Sequence, residues 1–383
     1  MSPINMFTIS LAPHQPYTLS YHLSTPSNQV AETIDPAYPT ILFCHPPWID
    51  GYIFYPQFEE PALHENYNLL AIDLPGHGSS HVDSAPSARY EWHRAAEAIY
   101  FALEALNVAP VHVVGVGSGC LSALRLVLAH PESCENLALV GPLTEHEPVA
   151  LDEAFKEWID SLKAAVAEKD KEAIYALNKF SIDFLTDQEG NPVIADLAEE
   201  YGQMAEARLD SGEMEFALPY YCDLLEARNE LPTQEEIEQL LCPLLVIEQS
   251  FIDNPTPPAN IYTKAIDAIN ARKFREGRVC SASRLLIEGT APSRWMSLTY
   301  QEPVNLALAE FISTKTTLSL PPSPASPSVA RRPSTPRDIT GFFIPPPPKL
   351  APGRKTLGEM MDELEKRGEG VNVEVEVLVQ IGE

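Results

Sequence analysis

The hydrophobic pattern changes period repeatedly along the chain. MFTISLA and YTLSYHLS alternate polar and apolar residues, with Pro13 to Pro16 between them, which predicts two antiparallel strands joined by a turn. Six short, continuous apolar runs follow: TILFC (40–44), NLLAID (68–73), VHVVGV (111–116), LALVG (137–141), PLLVIE (243–248) and SRLLIEG (283–289). Runs without polar alternation predict strands buried on both faces. Apolar residues recur with a helical period over 88–107, 119–131 and 302–312. Strands alternating with helices predict an α/β fold, with a mostly parallel central sheet and helices on both faces.

Two segments break this rhythm. Between Leu143 and about residue 241 the strand signal vanishes and the sequence becomes acidic and helical, as in LDEAFKEWIDSLKAAVAEKDKEAIYALNKF. Residues 144–241 are therefore expected to form a helical cap inserted between core segments 1–143 and 242–316. From 317 to 355 the composition turns proline-rich (LPPSPASPSVARRPSTPRDITGFFIPPPPKLAPG), which predicts a disordered linker because it offers too little apolar surface to fold. Within it, Arg331-Arg332-Pro333-Ser334-Thr335-Pro336 is a candidate phosphorylation segment, and prolines 345 to 348 could dock an aromatic groove as a polyproline II helix. Residues 356–383 carry one amphipathic helical pattern and one alternating strand pattern, too little to fold alone.

Charge narrows the choice of partners. With 54 acidic against 26 basic residues the formal net charge is -28, which repels nucleic-acid phosphates and anionic lipid headgroups. The N-terminus lacks a basic region followed by an apolar one, and no stretch approaches the roughly 18 apolar residues of a membrane span. A soluble, cytoplasmic protein with neither nucleic-acid nor membrane partner is expected. The six cysteines, at 44, 120, 134, 222, 242 and 280, form no CxxC pair and no metal-ligand spacing. Those at 44 and 242 lie in apolar runs, as reduced core thiols do. No metal, nucleotide or other cofactor motif is visible.

The motifs that carry chemistry lie in the first half. Asp73-Leu74-Pro75-Gly76-His77-Gly78-Ser79-Ser80 is a D-x-x-G-x-G-x-S turn after a buried strand. Some forty residues on, after a helix and the strand VHVV, comes Gly115-Val116-Gly117-Ser118-Gly119. With LLCPLLVIEQSFIDNP and EPVNLALAEFI farther along, these features make residues 7 to 313 resemble the α/β-hydrolase superfamily, in its capped form. The resemblance implies a nucleophile elbow at 115–119, an acid at Asp253 and a catalytic histidine after the last strand.

Each part of that machinery departs from the family pattern. Aligning the framing glycines on Gly115 and Gly119 puts Gly117, which has no side chain, at the nucleophile. Ser118 would serve only if the turn slipped by one residue; otherwise it is expected to open the next helix with its hydroxyl on a free backbone N–H. Cys120, beginning that helix, is expected to pack against the sheet. The segment Leu286 to Trp295 contains no histidine, and none occurs after His146. Upstream, His45, His77 and His93 read as structural. The oxyanion region has His45-Pro46-Pro47-Trp48 where the family carries an H-G pair, and proline has no N–H to donate, leaving Trp48 as the next donor. Losing the serine or the histidine alone costs on the order of a millionfold in a well-studied protease.

The expectation is an α/β-hydrolase-fold protein without classical serine-hydrolase activity, binding a small apolar metabolite or a partner protein in a capped pocket. Trp48, Tyr52 and Phe54, with Tyr55 nearby and Phe216, Tyr220 and Tyr221 from the cap, are the candidate aromatic walls. Two alternatives stay open. One is a non-covalent lyase, cyclase or isomerase using polar groups among Ser118, Asp253, Glu248, Asp50 and His45. The other is a weak esterase built on Ser118.

Overall fold

The buried apolar runs become the middle of a nine-stranded sheet. The strands are β1 (Phe7–Ser10), β2 (Tyr17–Ser24), β3 (Thr40–Cys44), β4 (Asn68–Ile72), β5 (His81–Val82), β6 (Val111–Val116), β7 (Cys134–Val140) and β8 (Leu244–Phe251), then a separate ribbon of β9 (Phe274–Arg275) and β10 (Arg278–Val279), and last β11 (Ala282–Gly289). Their order is β1-β2-β4-β3-β6-β7-β8-β11, with β5 pairing to β2. The first pairings, β1 with β2 and β2 with β4, are antiparallel, and those from β4 to β11 are parallel. This is a computed structural model, and it describes residues 7–10, 17–145, 149–186, 192–251, 259–272, 274–275, 278–279, 281–289, 293 and 295–313. The Pro13–Pro16 turn, the proline-rich linker and the 356–383 segment lie outside them.

Helices α1 (Tyr55–Phe58) and α2 (Pro61–His64) follow β3, α3 (Trp92–Ala105) precedes β6, and α4 (Gly119–Ala129) links β6 to β7. The predicted helix over 88–107 starts later, at Trp92, because Glu91 is extended at the N-cap. Between β7 and β8 come α5 (Val149–Glu168), α6 (Lys171–Thr186), α7 (Pro192–Ser211), α8 (Glu213–Glu226) and α9 (Gln234–Ile237), all helix and no strand among the described residues, and these form the cap. The chain returns through α10 (Ile261–Arg272), α11 (Met296–Thr299) and α12 (Gln301–Ser313).

Every residue of β3, β4 and β6 is buried, as an unbroken apolar run requires when helices cover both faces. The run SRLLIEG differs from its expectation. In β11 residues Ser283 to Leu286 are only half-buried, because this strand is the sheet's edge and pairs on one side with β8 alone. That edge is fastened by an ion pair: Arg284 Nε bonds Glu248 Oε2, and Glu248 Oε1 accepts from Asn260 Nδ2 at 2.6 Å. Glu248, a candidate pocket group by sequence, is thus committed to the sheet.

Replacing one partner of a buried pair strands the other, a loss of roughly 3–5 kcal/mol when both are fully enclosed. Arg284 keeps 20% side-chain exposure, so Arg284→Gln is expected to cost less, about 2 kcal/mol, read as a lower urea midpoint at unchanged slope. The double replacement Arg284→Met with Glu248→Gln, which keeps an acceptor for Asn260, should recover most of it.

Candidate active site

The turn between β6 and α4 has the geometry of an elbow. Gly117 sits at φ +54°, a left-handed conformation that side chains resist, and its N–H donates to Val140 O at 2.9 Å. The flanking glycines pin the register. A Cβ on Gly119 would lie 2.4 Å from Cys44 O, and one on Gly115 would lie 2.7 Å from Cys120 Cα. The apex between them is Gly117. Ser118 already has helical backbone angles, φ -69° and ψ -17°, and opens α4 as predicted, but its hydroxyl makes no capping hydrogen bond, contrary to the expectation. Cys120 is fully buried, and burial pushes its thiol pKa up, so it stays protonated.

The histidines upstream are held by the backbone. His45 Nδ1 lies 2.7 Å from Pro46 O, and a carbonyl only accepts, so Nδ1 carries the proton and Nε2 accepts from Leu74 N–H at 3.0 Å. Both ring nitrogens are spent, and burial lowers the pKa further toward the neutral ring. His77 Nδ1 is likewise 3.0 Å from Pro75 O, which leaves a buried Nε2 lone pair without a hydrogen-bond donor. His93 is exposed beside Glu91.

Beneath them lies a carboxylate centre. Asp73 is fully buried; its oxygens accept from Gly51 N–H at 2.8 Å, Ser79 N–H at 3.2 Å and the Ser20 hydroxyl. His22 Nε2 is 3.8 Å from Asp73 Oδ1, and neither of its buried ring nitrogens has a hydrogen-bond partner. Asp50, 4% exposed, accepts from Tyr52 N–H at 2.9 Å and from the Tyr201 hydroxyl. Burial and the neighbouring Asp73 raise the Asp50 pKa.

Trp48 joins core to cap. At φ +92° it is an outlier for a bulky residue, directly after Pro46-Pro47. Its indole N–H donates to Ser181 Oγ in α6 at 2.9 Å, and its ring meets Trp158 of α5 at 3.6 Å and Tyr221 of α8 at 5.3 Å. Asp50 adds a second bond to the cap, its N–H donating to Tyr201 Oη of α7 at 3.1 Å. Under these contacts is a cavity of about 20 Å³, room for a water or two, lined by Trp48 and Gly78 from the core and by Tyr201, Met204, Arg208 and Tyr221 from the cap.

Of the residues singled out by sequence, Trp48 and Tyr221 reach this cavity. Phe54 instead packs in the core against Phe43, with ring centroids 5.0 Å apart, and Tyr52 stacks on Tyr55 at 6.0 Å. Tyr220 packs on Tyr17 and Tyr90, and Phe216 is 43% exposed. Asp253 lies outside the described residues, as does most of the loop after β11. Sequence reading missed Arg208, Tyr201 and His22. Arg208 alone had a signal, as the one basic residue in the acidic helix α7. Among the described residues no cluster of three metal-ligating side chains occurs, and no helix is long and apolar enough to cross a membrane.

A family model described as the α/β hydrolase fold matches residues 39–215. Among solved structures, the chain is similar to 2-hydroxy-6-oxo-6-phenylhexa-2,4-dienoate hydrolase from Rhodococcus sp. strain RHA1, with TM-score 0.57 and 16% identity over 81% of this chain and 100% of that one. A thermophilic esterase from Thermogutta terrifontis matches with TM-score 0.56 and 15% identity, covering 82% and 100%. The enol-lactonase from Burkholderia xenovorans LB400 matches with TM-score 0.53 and 16% identity, covering 78% and 97%. At such identities the likeness is one of fold. No curated protein sequence matches.

Asp50 sets a pH dependence. Because its folded pKa lies above the ordinary 3.8, its contribution to stability is full below that pH and is lost as pH rises through the folded value. Asp50→Asn, which still accepts from Tyr201, should lose less stability than the wild type between pH 4 and pH 7. Urea midpoints across that range test it, and parallel curves would refute it.

Proposed function

The chain is an α/β-hydrolase-fold protein, and we propose that it works without serine-hydrolase chemistry, holding a small ligand at the junction of core and cap rather than cleaving it. The observation that carries this reading is Gly117 at the apex, at φ +54° between two glycines that tolerate no Cβ. A slip that put Ser118 at the apex would bring Val116 and Cys120 to the two framing positions, and no room exists there for their side chains. The absence of any histidine after His146 supports the same reading, since a nucleophilic serine needs an imidazole to take its proton. His45 offers no substitute, because backbone groups already occupy both of its ring nitrogens.

A second reading is favoured by one observation. Asp50 is an enclosed acid with a raised pKa beside the cavity wall residue Tyr201, the kind of perturbed group that non-covalent lyases or isomerases use. Recovery of a bound ligand unchanged after incubation favours binding, and recovery of a converted product favours the enzyme.

Purified protein incubated with a fluorophosphonate probe, beside a labelled control hydrolase, should carry no adduct and hydrolyse no p-nitrophenyl ester above background. Gly117→Ser restores the hydroxyl without a base and should stay at background too, within about tenfold. An adduct on Ser118, with ester turnover abolished by Ser118→Ala, would overturn the proposal.

A further inference from the structure

The cavity between core and cap has a wall whose hydrogen-bonding capacity is unevenly spent. Tyr201 is saturated, since its oxygen accepts from Asp50 N–H and its hydroxyl donates to the Asp50 carboxylate. Trp48 has given its indole N–H to Ser181, and Asn178 its amide N–H to Ile174 O at 2.8 Å. Arg208 is different. One of its terminal amino groups donates to the Tyr221 hydroxyl oxygen, while the Nε–H is buried with no hydrogen-bond partner. Having accepted from Arg208, the Tyr221 hydroxyl still has its own proton to donate. Among the described residues the capacity still unspent in the wall is mostly that of donors, the Arg208 Nε–H, the Tyr221 O–H and the second Asn178 amide N–H, against one neutral acceptor, the Asn178 amide oxygen.

The charge balance points the same way. The Arg208 side chain is 12% exposed, and among the described residues the carboxylate paired with it is Glu213, whose Oε2 is 3.8 Å from Nε and beyond hydrogen-bond distance. Glu213 is itself 45% exposed, so water screens much of its attraction. A cation this enclosed, with an unused planar N–H, is matched by an oxyanion that takes two donors at once. The rest of the wall is apolar and pliable: Leu162, Ala205 and the thioethers Met204 and Met214. The cavity of about 20 Å³ has room for a water or two, so a larger occupant requires Met204 and Met214 to move, and methionine side chains re-pack at low cost.

We propose that this cavity is a binding site for a small monocarboxylate of acetate or propionate size, its oxygens taken by Arg208 Nε and the Tyr221 hydroxyl and its alkyl end set against Leu162, Met204 and Met214. The inference rests on the reading of the junction as a ligand site and names the class of ligand. It departs from the apolar metabolite expected from sequence, because a purely apolar occupant would leave the buried Arg208 Nε–H without an acceptor.

The test is calorimetric titration of the full-length protein with sodium propionate, against propionamide, which keeps shape and loses charge, and against sodium chloride at equal ionic strength. Propionate is expected to bind at one site at least about tenfold more tightly than either control, with quenching or enhancement of tryptophan fluorescence from Trp48. Arg208→Gln should weaken propionate by about tenfold or more and leave propionamide unchanged, whereas Glu213→Gln, which removes the competing carboxylate, should tighten it. If circular dichroism shows Arg208→Gln unfolded, Arg208→Lys takes its place, and a several-fold loss is expected because the ammonium lacks the planar fork. The inference is overturned if the wild type binds no propionate, if propionamide or chloride binds equally well, or if the Arg208 variant binds like the wild type. Its failure is separable from that of the non-hydrolytic reading, which the fluorophosphonate experiment alone decides.

Discussion

The structure hinges on how closely the start of α4 approaches the end of β3. With Gly119 lying against the carbonyls of Cys44 and His45, and Gly115 against Cys120 and Ala123, strand and helix meet at a separation that only hydrogen can occupy. That packing sets the register of the turn, and the register decides which residue stands at its apex. It also aims the chain leaving β3, so that His45 turns inward to brace Leu74 and the two prolines carry Trp48 over to the cap. A shift of one residue at the elbow would alter the apex, the His45 brace and the cap contact together.

The cap is held by polar and aromatic contacts instead of a large apolar seam at this point. Trp48 reaches three cap helices, and Asp50 exchanges two hydrogen bonds with Tyr201. Such contacts are directional, so they place the cap helices accurately over the D-x-x-G-x-G turn. Nearby, the Arg208 Nε–H and the His77 Nε2 are buried without a hydrogen bond, where an unmet one is costly. Function in a fold lives in such sites and not in the fold itself.

What the sequence determined by itself was the architecture. Unbroken apolar runs at 40–44, 68–73 and 111–116 predicted strands covered on both faces, the long acidic helical stretch predicted an insertion, and two glycine motifs at their spacing carried the resemblance to the α/β hydrolases. These signals are local, written in hydrophobic period and backbone requirement, and so survive without knowledge of neighbours. That a glycine occupies position 117 and that no histidine follows His146 were legible for the same reason, since each is a question of which residue stands where.

Only the tertiary structure decided what stands around that position. That β11 is an edge strand, that Phe54 belongs to the core and Trp48 to the cap, that Glu248 is tied to Arg284, and that Arg208 meets Tyr221 across a cavity with Trp48 all depend on pairings between residues far apart in the chain. A side chain's hydrogen-bond balance is a property of its surroundings, and one sequence position does not contain them.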